Sequence, residues 1–173
     1  MNGYLLDSNA FITPHRNFYA HDIVPSFWEW LSEDASDEIF IIDKVNHELQ
    51  KDDDFLSRWV KSFLSRNPEN LIETSSNQAI IFSYSKVIHH ITSCGYYKSG
   101  SYSQWFDADQ ADPFLIATAM VNDLVIVTLE RRHPDLNTMY PTKQEPKIPD
   151  VADALGVTCI DLYEFMRRLD CKI

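Results

Sequence analysis

At 173 residues, 45% of them hydrophobic and 24% charged, the chain has the balance of one soluble globular domain, 1–173, able to bury about two-thirds of its unfolded surface. Fifteen basic residues against 26 acidic ones leave a net charge of −11. That argues against a broad basic face for nucleic acid, yet leaves room for nucleic acid where some acids hold metal ions. The four glycines, Gly3, Gly95, Gly100 and Gly156, are scattered, which excludes the P-loop and the dinucleotide fingerprint.

No apolar run approaches the roughly 20 residues of a membrane helix. The opening MNGYLLDSNAF lacks the basic start and long apolar stretch of a signal peptide, so a cytoplasmic location is expected. Cys94, Cys159 and Cys171 are odd in number and far apart, with no Cys-x-x-Cys. They read as reduced core thiols, not as a disulfide frame or zinc site.

In chain order, residues 4–7 (Tyr-Leu-Leu-Asp) read as a buried strand that ends on a carboxylate, Asp7. A helix follows over 25–31, with Pro25 near its start and aromatics Phe27, Trp28 and Trp30 at helical spacing. Those aromatics read first as core, and secondly as part of a dimer or partner groove. Residues 39–42 are a short apolar strand, after which Asp43 is expected to N-cap a helix over 44–49. Residues 54–66 are amphipathic, with Phe55, Trp59, Phe63 and Leu64 on one stripe. A longer helix over 76–94 carries Ile80, Ile81, Tyr84, Val87, Ile88 and Ile91 and stops at Gly95. Ala111-Asp112-Pro113 opens the clearest helix, through Met120, and 124–128 form a third strand. A loop bearing Pro134, Pro141, Pro146 and Pro149 leads to a short helix over 151–155, closed by Gly156. A fourth strand over 157–160 and a helix over 162–169 complete the chain. Apolar strands alternating with helices predict an α/β fold, a mainly parallel sheet covered on both faces.

Ligands of open parallel sheets bind beyond the carboxyl ends of the strands. Four acids stand where they can point there: Asp7 after the first strand, Glu48 on the helix after the second, Asp112 at a helix start, and Glu130 past the third strand. Each has a plainer reading. Asp112-Pro113 fits an N-cap, Glu48 a solvated helix face, Glu130 a loop surface, and Asp7 an acid bonded to loop amides. Asp7 resists its plainer reading most, because the apolar run leaves it little water.

Asp-Ser-Asn at 7–9, Ala-Asp-Pro-Phe-Leu-Ile-Ala at 111–117 and Val-Thr-Leu-Glu at 127–130 together resemble a PIN domain. More narrowly the chain is similar to an uncharacterised PIN-like bacterial family related to VapC-type toxins, which shares the patterns at 147–151 and 155–157. The resemblance runs from Tyr4 to about Phe165. It implies a three-layer fold with a central, mainly parallel sheet of four or five strands. It further implies a metal-dependent ribonuclease, restrained in the toxin branch by an antitoxin protein. Carried over, Asp7, Glu48 and Asp112 match the first three acids of the site, and Glu130 falls where many PIN domains place an aspartate. Asn9 and Thr128 match residues that support the acids. Glutamate at 130 departs mildly from the pattern and leaves direct ligation open.

Two carboxylates 4 Å apart repel by about 4 kcal/mol at an effective dielectric near 20, so four convergent acids call for a cation. Mg2+ or Mn2+ suits all-oxygen ligation and can activate water toward a phosphodiester. His89 and His90 are adjacent, face different sides of a helix and make a poor ligand pair. Arg131, Arg132, Lys143 and Lys147 lie in the loop after Glu130, either as phosphate contacts or as an ordinary solvated loop. A haloacid-dehalogenase-type phosphatase would need a second Asp where the chain has Asn9. The expected function is a ribonuclease toxin acting on RNA, with an antitoxin and a homodimer as expected partners. The alternative is a PIN-like scaffold or binding module without catalysis.

Overall fold

A computed structural model describes residues 3–173; Met1 and Asn2, part of the N-terminal reading above and of the 1–173 domain, lie outside the described residues. Five strands form one parallel sheet: β1 (Tyr4–Leu6), β2 (Ile39–Ile42), β3 (Leu71–Ile72), β4 (Val125–Val127) and β5 (Cys159–Ile160), in the order β3-β2-β1-β4-β5. Tyr4 pairs with Ile39 on one side and Val125 on the other, so β1 is central. Leu5, Leu6, Ile41, Ile42, Ile126 and Val127 are fully buried. That burial on both faces is why the strands read as continuous apolar runs and not as alternating ones.

Eight helices connect and cover the strands among the described residues: α1 (Asn9–Asn17), α2 (Pro25–Ser32), α3 (Asp43–Leu49), α4 (Phe55–Arg66), α5 (Gln78–Ser93), α6 (Ala111–Asn122), α7 (Ile148–Ala154) and α8 (Leu162–Arg168). One group is knitted by aromatic contacts: Phe11 of α1 and Trp28 of α2 each lie 5.5 Å from Trp59 of α4, and Trp30 lies 5.5 Å from Phe165 of α8. The other group is α5, α6 and α7, packed on one another. Phe27, Trp28 and Trp30 are buried, which settles those three as core. No helix among the described residues is long and apolar enough to cross a membrane.

Several boundaries differ from the sequence reading. Helix α1 follows Asp7 after a single residue and was not anticipated; its Thr13-Pro14-His15 lacks an apolar helical stripe. Strand β3 was also missed, being two half-buried residues long. Helix α7 begins three residues earlier than expected, with Pro149 in its first turn. Ile81 points outward from α5, 44% exposed, and so leaves the predicted stripe. The three cysteines are free but half-buried, flanking the core instead of lying within it.

Asp43 is no N-cap. Helix α3 starts at Asp43 itself, and its carboxylate accepts from Lys44 N (3.0 Å), Thr74 Oγ1 (2.7 Å) and Ser75 Oγ (3.4 Å). That bond set ties the end of β2 to the segment after β3. Gly3 is required by close approach, since a Cβ there would run into the Phe40 ring.

Candidate active site

The chain runs β1, β2, β3 outward on one side of the sheet and then returns to β4 and β5 on the other. The order therefore reverses between β1 and β4, and such a switch point opens a crevice at the carboxyl ends of those two strands. The first residues past the two ends are Asp7 and Thr128. Asp7 N donates to Val127 O (3.0 Å) and Thr128 N to Ile160 O (3.0 Å), which fixes both backbones.

Asp7 is 3% exposed. Its Oδ2 accepts from Thr128 Oγ1 at 2.9 Å, its Oδ1 makes a long contact with Ser8 Oγ (3.5 Å), and the Ser8 backbone amide also bonds the carboxylate. Asn9 clamps the β4 end: its Oδ1 accepts from Leu129 N (2.8 Å) and its Nδ2 donates to Thr128 Oγ1 (3.3 Å). Glu130 N also donates to Thr128 Oγ1, at 3.1 Å. Asn9 and Thr128 thus form one network about Asp7, a geometry in which residues 121 apart in sequence orient one carboxylate.

Burial lifts the Asp7 pKa from 3.8 to about 7; the Thr128 bond opposes the rise, and Glu130 and Glu48 add to it by repulsion. Asp112 is likewise raised to about 7, by burial first and then by Asp7, Glu130 and Glu48, with the Gln110 side chain pulling it back. Four acids from four elements therefore share one field. Asp112 is the second residue of α6, with Gln110 at the cap position, so the N-cap reading of Asp112 fails. Two carboxyls lifted to near 7 by burial and by repulsion from neighbouring acids are a strained pair that a cation would relieve.

The donor set, all carboxylate, fits a hard divalent cation in kind. As the side chains lie, no three His, Cys, Asp or Glu among the described residues form a group able to hold one ion. Glu130 shows why. Its Oε2 accepts from Ile148 N (2.8 Å) at the start of α7, and its Oε1 from Lys147 Nζ (3.3 Å). Both oxygens are engaged, and Lys147 also pairs with Glu145 at 3.1 Å.

The basic loop is accordingly divided. Lys147 is held by Glu130 and Glu145, and Arg132 pairs with Asp153 at 3.0 Å. Arg131 and Lys143 are exposed. Lys143 lines an open cleft with Ser101, Ser103 and Gln104. The stretch from Arg131 to Pro146 has little regular structure, but His133 N donates to Asp150 (2.9 Å) and the Glu130–Ile148 bond closes its far end. Two features escaped sequence reasoning: Gln110 beside Asp112, and the buried Lys44 on α3. A lysine in an otherwise ordinary helix start gives no signal of burial.

A family model described as a domain of unknown function, DUF4411, matches residues 4–173. The chain belongs to that family. Three solved structures share its fold. VapBC-1 from nontypeable Haemophilus influenzae is 13% identical with TM-score 0.52, and FitAcB from Neisseria gonorrhoeae 12% with TM-score 0.54. Each match covers 92% of this chain and 98% of the other. FitAB bound to an IR36 DNA fragment is 14% identical with TM-score 0.56, covering 92% and 95%. At such identities the likeness is one of fold, and the DUF4411 chain has a PIN-like, VapC-type fold. No curated protein matches by sequence.

Proposed function

We propose that this DUF4411 protein is a Mg2+- or Mn2+-dependent ribonuclease that hydrolyses RNA phosphodiesters, and that it is the toxin of a toxin–antitoxin pair. The observation that carries the reading is the pair Asp7 and Asp112, both raised to about 7 at the switch point of the sheet. Nothing in the packing of a stable core calls for two such acids side by side, and sites of chemistry are where perturbed carboxyls gather. The likeness of fold to VapBC-1 and to FitAcB supports the assignment to a toxin and to a protein partner.

In this reading Asp7, Glu48, Asp112 and Glu130 hold the cation. When bound, the metal supplies Lewis-acid charge and an activated water. Thr128 fixes Asp7 through Oδ2. Asn9 keeps Thr128 and the Leu129 amide in register. Glu130 joins by loosening its hold on Ile148 N and Lys147. Arg131 and Lys143 meet RNA phosphates, whereas Arg132 and Lys147 meet them only by giving up their carboxylate partners. The partners are RNA, an antitoxin and a second copy of the chain, in the cytoplasm.

The engaged state of Glu130 favours a second reading, a PIN-like binding or scaffold module without catalysis. The experiment that separates the two is cleavage of RNA by wild type and Asp7→Asn with Mg2+ or Mn2+. Cleavage abolished by Asp7→Asn supports the nuclease. No cleavage by the wild type, with no metal-dependent rise in melting temperature, supports the scaffold.

A further inference from the structure

Lysine is almost never buried without an ion-pair partner, because its ammonium loses strong hydration. Lys44 buries its stem and keeps its ammonium at the surface without such a partner. The residue is 7% exposed, its Nζ is not among the buried polar atoms left without a partner, and among the described residues no carboxylate forms a salt bridge with it. Its one polar contact is the face of the Phe114 ring, 4.2 Å from Nζ to the centroid. Phe114 is itself fixed by stacking on Tyr84 at 4.5 Å, and Tyr84 by its hydroxyl, which donates to Trp105 O (3.2 Å). The cation is therefore held on an aromatic platform with no carboxylate paired to it among the described residues.

Its position gives this unpaired cation a use. Lys44 stands four residues before Glu48 on α3, so both side chains leave the same face of that helix. Phe114 follows Asp112 by two residues on α6. Lys44 thus lies on α3, which delivers Glu48, and touches α6, which delivers Asp112. Asp43, next to it, spends its carboxylate on Thr74 and Ser75 and so leaves the ammonium unpaired.

We propose that Lys44 is a phosphate-binding residue of this site, its ammonium meeting a non-bridging oxygen of the RNA strand. The inference rests on the nuclease reading, and it names how so acidic a site tolerates a polyanion. A compact point charge on a stem packed in place suits a single phosphate oxygen, and the aromatic face holds the cation in place before the anion arrives.

The test uses full-length protein and a single-stranded RNA of about a dozen nucleotides. Binding is measured against salt in the Asp7→Asn background, which on the nuclease reading binds without cutting. Lys44→Met keeps the stem and removes the charge. It is expected to reduce the slope of log affinity against log salt by about 0.7, the value for one single-strand phosphate contact. In the wild-type background, with Mn2+, it is expected to lower kcat/KM at least tenfold, with Lys44→Arg restoring most of the loss. Unchanged slope and unchanged kcat/KM in a folded Lys44→Met overturn the proposal. Lys44→Gln serves if Lys44→Met does not fold; failure of both neutral variants alongside a folded Lys44→Arg also overturns it, by showing a structural role. Wild type that binds RNA without cutting it ends the nuclease reading alone, and the slope still decides Lys44.

Discussion

Replacing Asp7 by asparagine is expected to stabilise the metal-free protein while removing its activity. The magnitude follows from the shift. A folded-state pKa of about 7 against 3.8 is about three units, and each unit is worth 1.36 kcal/mol, so the ionised carboxylate costs the fold about 4 kcal/mol. Because the folded pKa lies above the unfolded one, the folded state carries the extra proton between about pH 4 and pH 7. The penalty is absent below that window, grows through it and is complete above pH 7. Asparagine keeps the shape and can still accept from Thr128 Oγ1, but brings an N–H2 group with no ready acceptor, at about 1–2 kcal/mol. The net gain near pH 8 is then about 2–3 kcal/mol, and near pH 4 the variant is weaker by about 1 kcal/mol. Asp7 is also among the charges that raise Asp112, so the substitution relieves that group too. Urea melts in chelator at the two pH values measure both differences. A variant less stable than wild type by the same amount at both would refute the reasoning and make Asp7 an acid bonded for structure.

Metal affinity carries the opposite pH sign: Asp7 and Asp112 must shed protons to bind, so the rise in melting temperature with Mn2+ is expected to be larger at pH 8 than at pH 6. Equal shifts would place the ion elsewhere. Thr128→Val removes the donor to Asp7 and the acceptor for Glu130 N, and is expected to cost about 1–3 kcal/mol, more at high pH than at low, by denaturant melts. In salt titrations of RNA binding, Arg131→Gln and Lys143→Gln are each expected to reduce the slope by about 0.7. Lys147→Gln is expected to change it less, because that ammonium is spent on Glu130 and Glu145; the reverse ranking would restore Lys147 as the phosphate contact.

How far the sequence foretold this arrangement depended on whether a feature was local. The strand ends carrying Asp7 and Thr128 were legible, because short runs bounded by polar residues mark buried parallel strands wherever they fall. The crevice was not, since the reversal of strand order between β1 and β4 is a matter of which strands pair, and pairing at a separation of 121 residues leaves no periodicity to read. Strand β3 fails for another reason: at two residues, held by Asn70 donating to Ser36 O and Ile39 O, its extended form is imposed from outside.

Charge pairing was least legible of all. Glu130 was expected among the ligands and Lys147 among the phosphate contacts, both as isolated residues of an irregular loop. The fold brings them within 3.3 Å and adds the Ile148 amide, so in the metal-free protein each satisfies the other. Lys44 shows the converse, a residue with an obvious salt-bridge candidate one turn along its helix that instead lies on an aromatic ring. Lys147, read as a phosphate contact, thus has carboxylate partners, while Lys44, which the sequence does not single out, has none. On the proposed nuclease reading that arrangement makes physical sense: Glu130 is held by a partly exposed lysine at the start of α7, in a pair weak enough to release it. On the same reading Lys44 is left unpaired on the Phe114 ring, because a carboxylate partner would have to be broken away before an anion could bind.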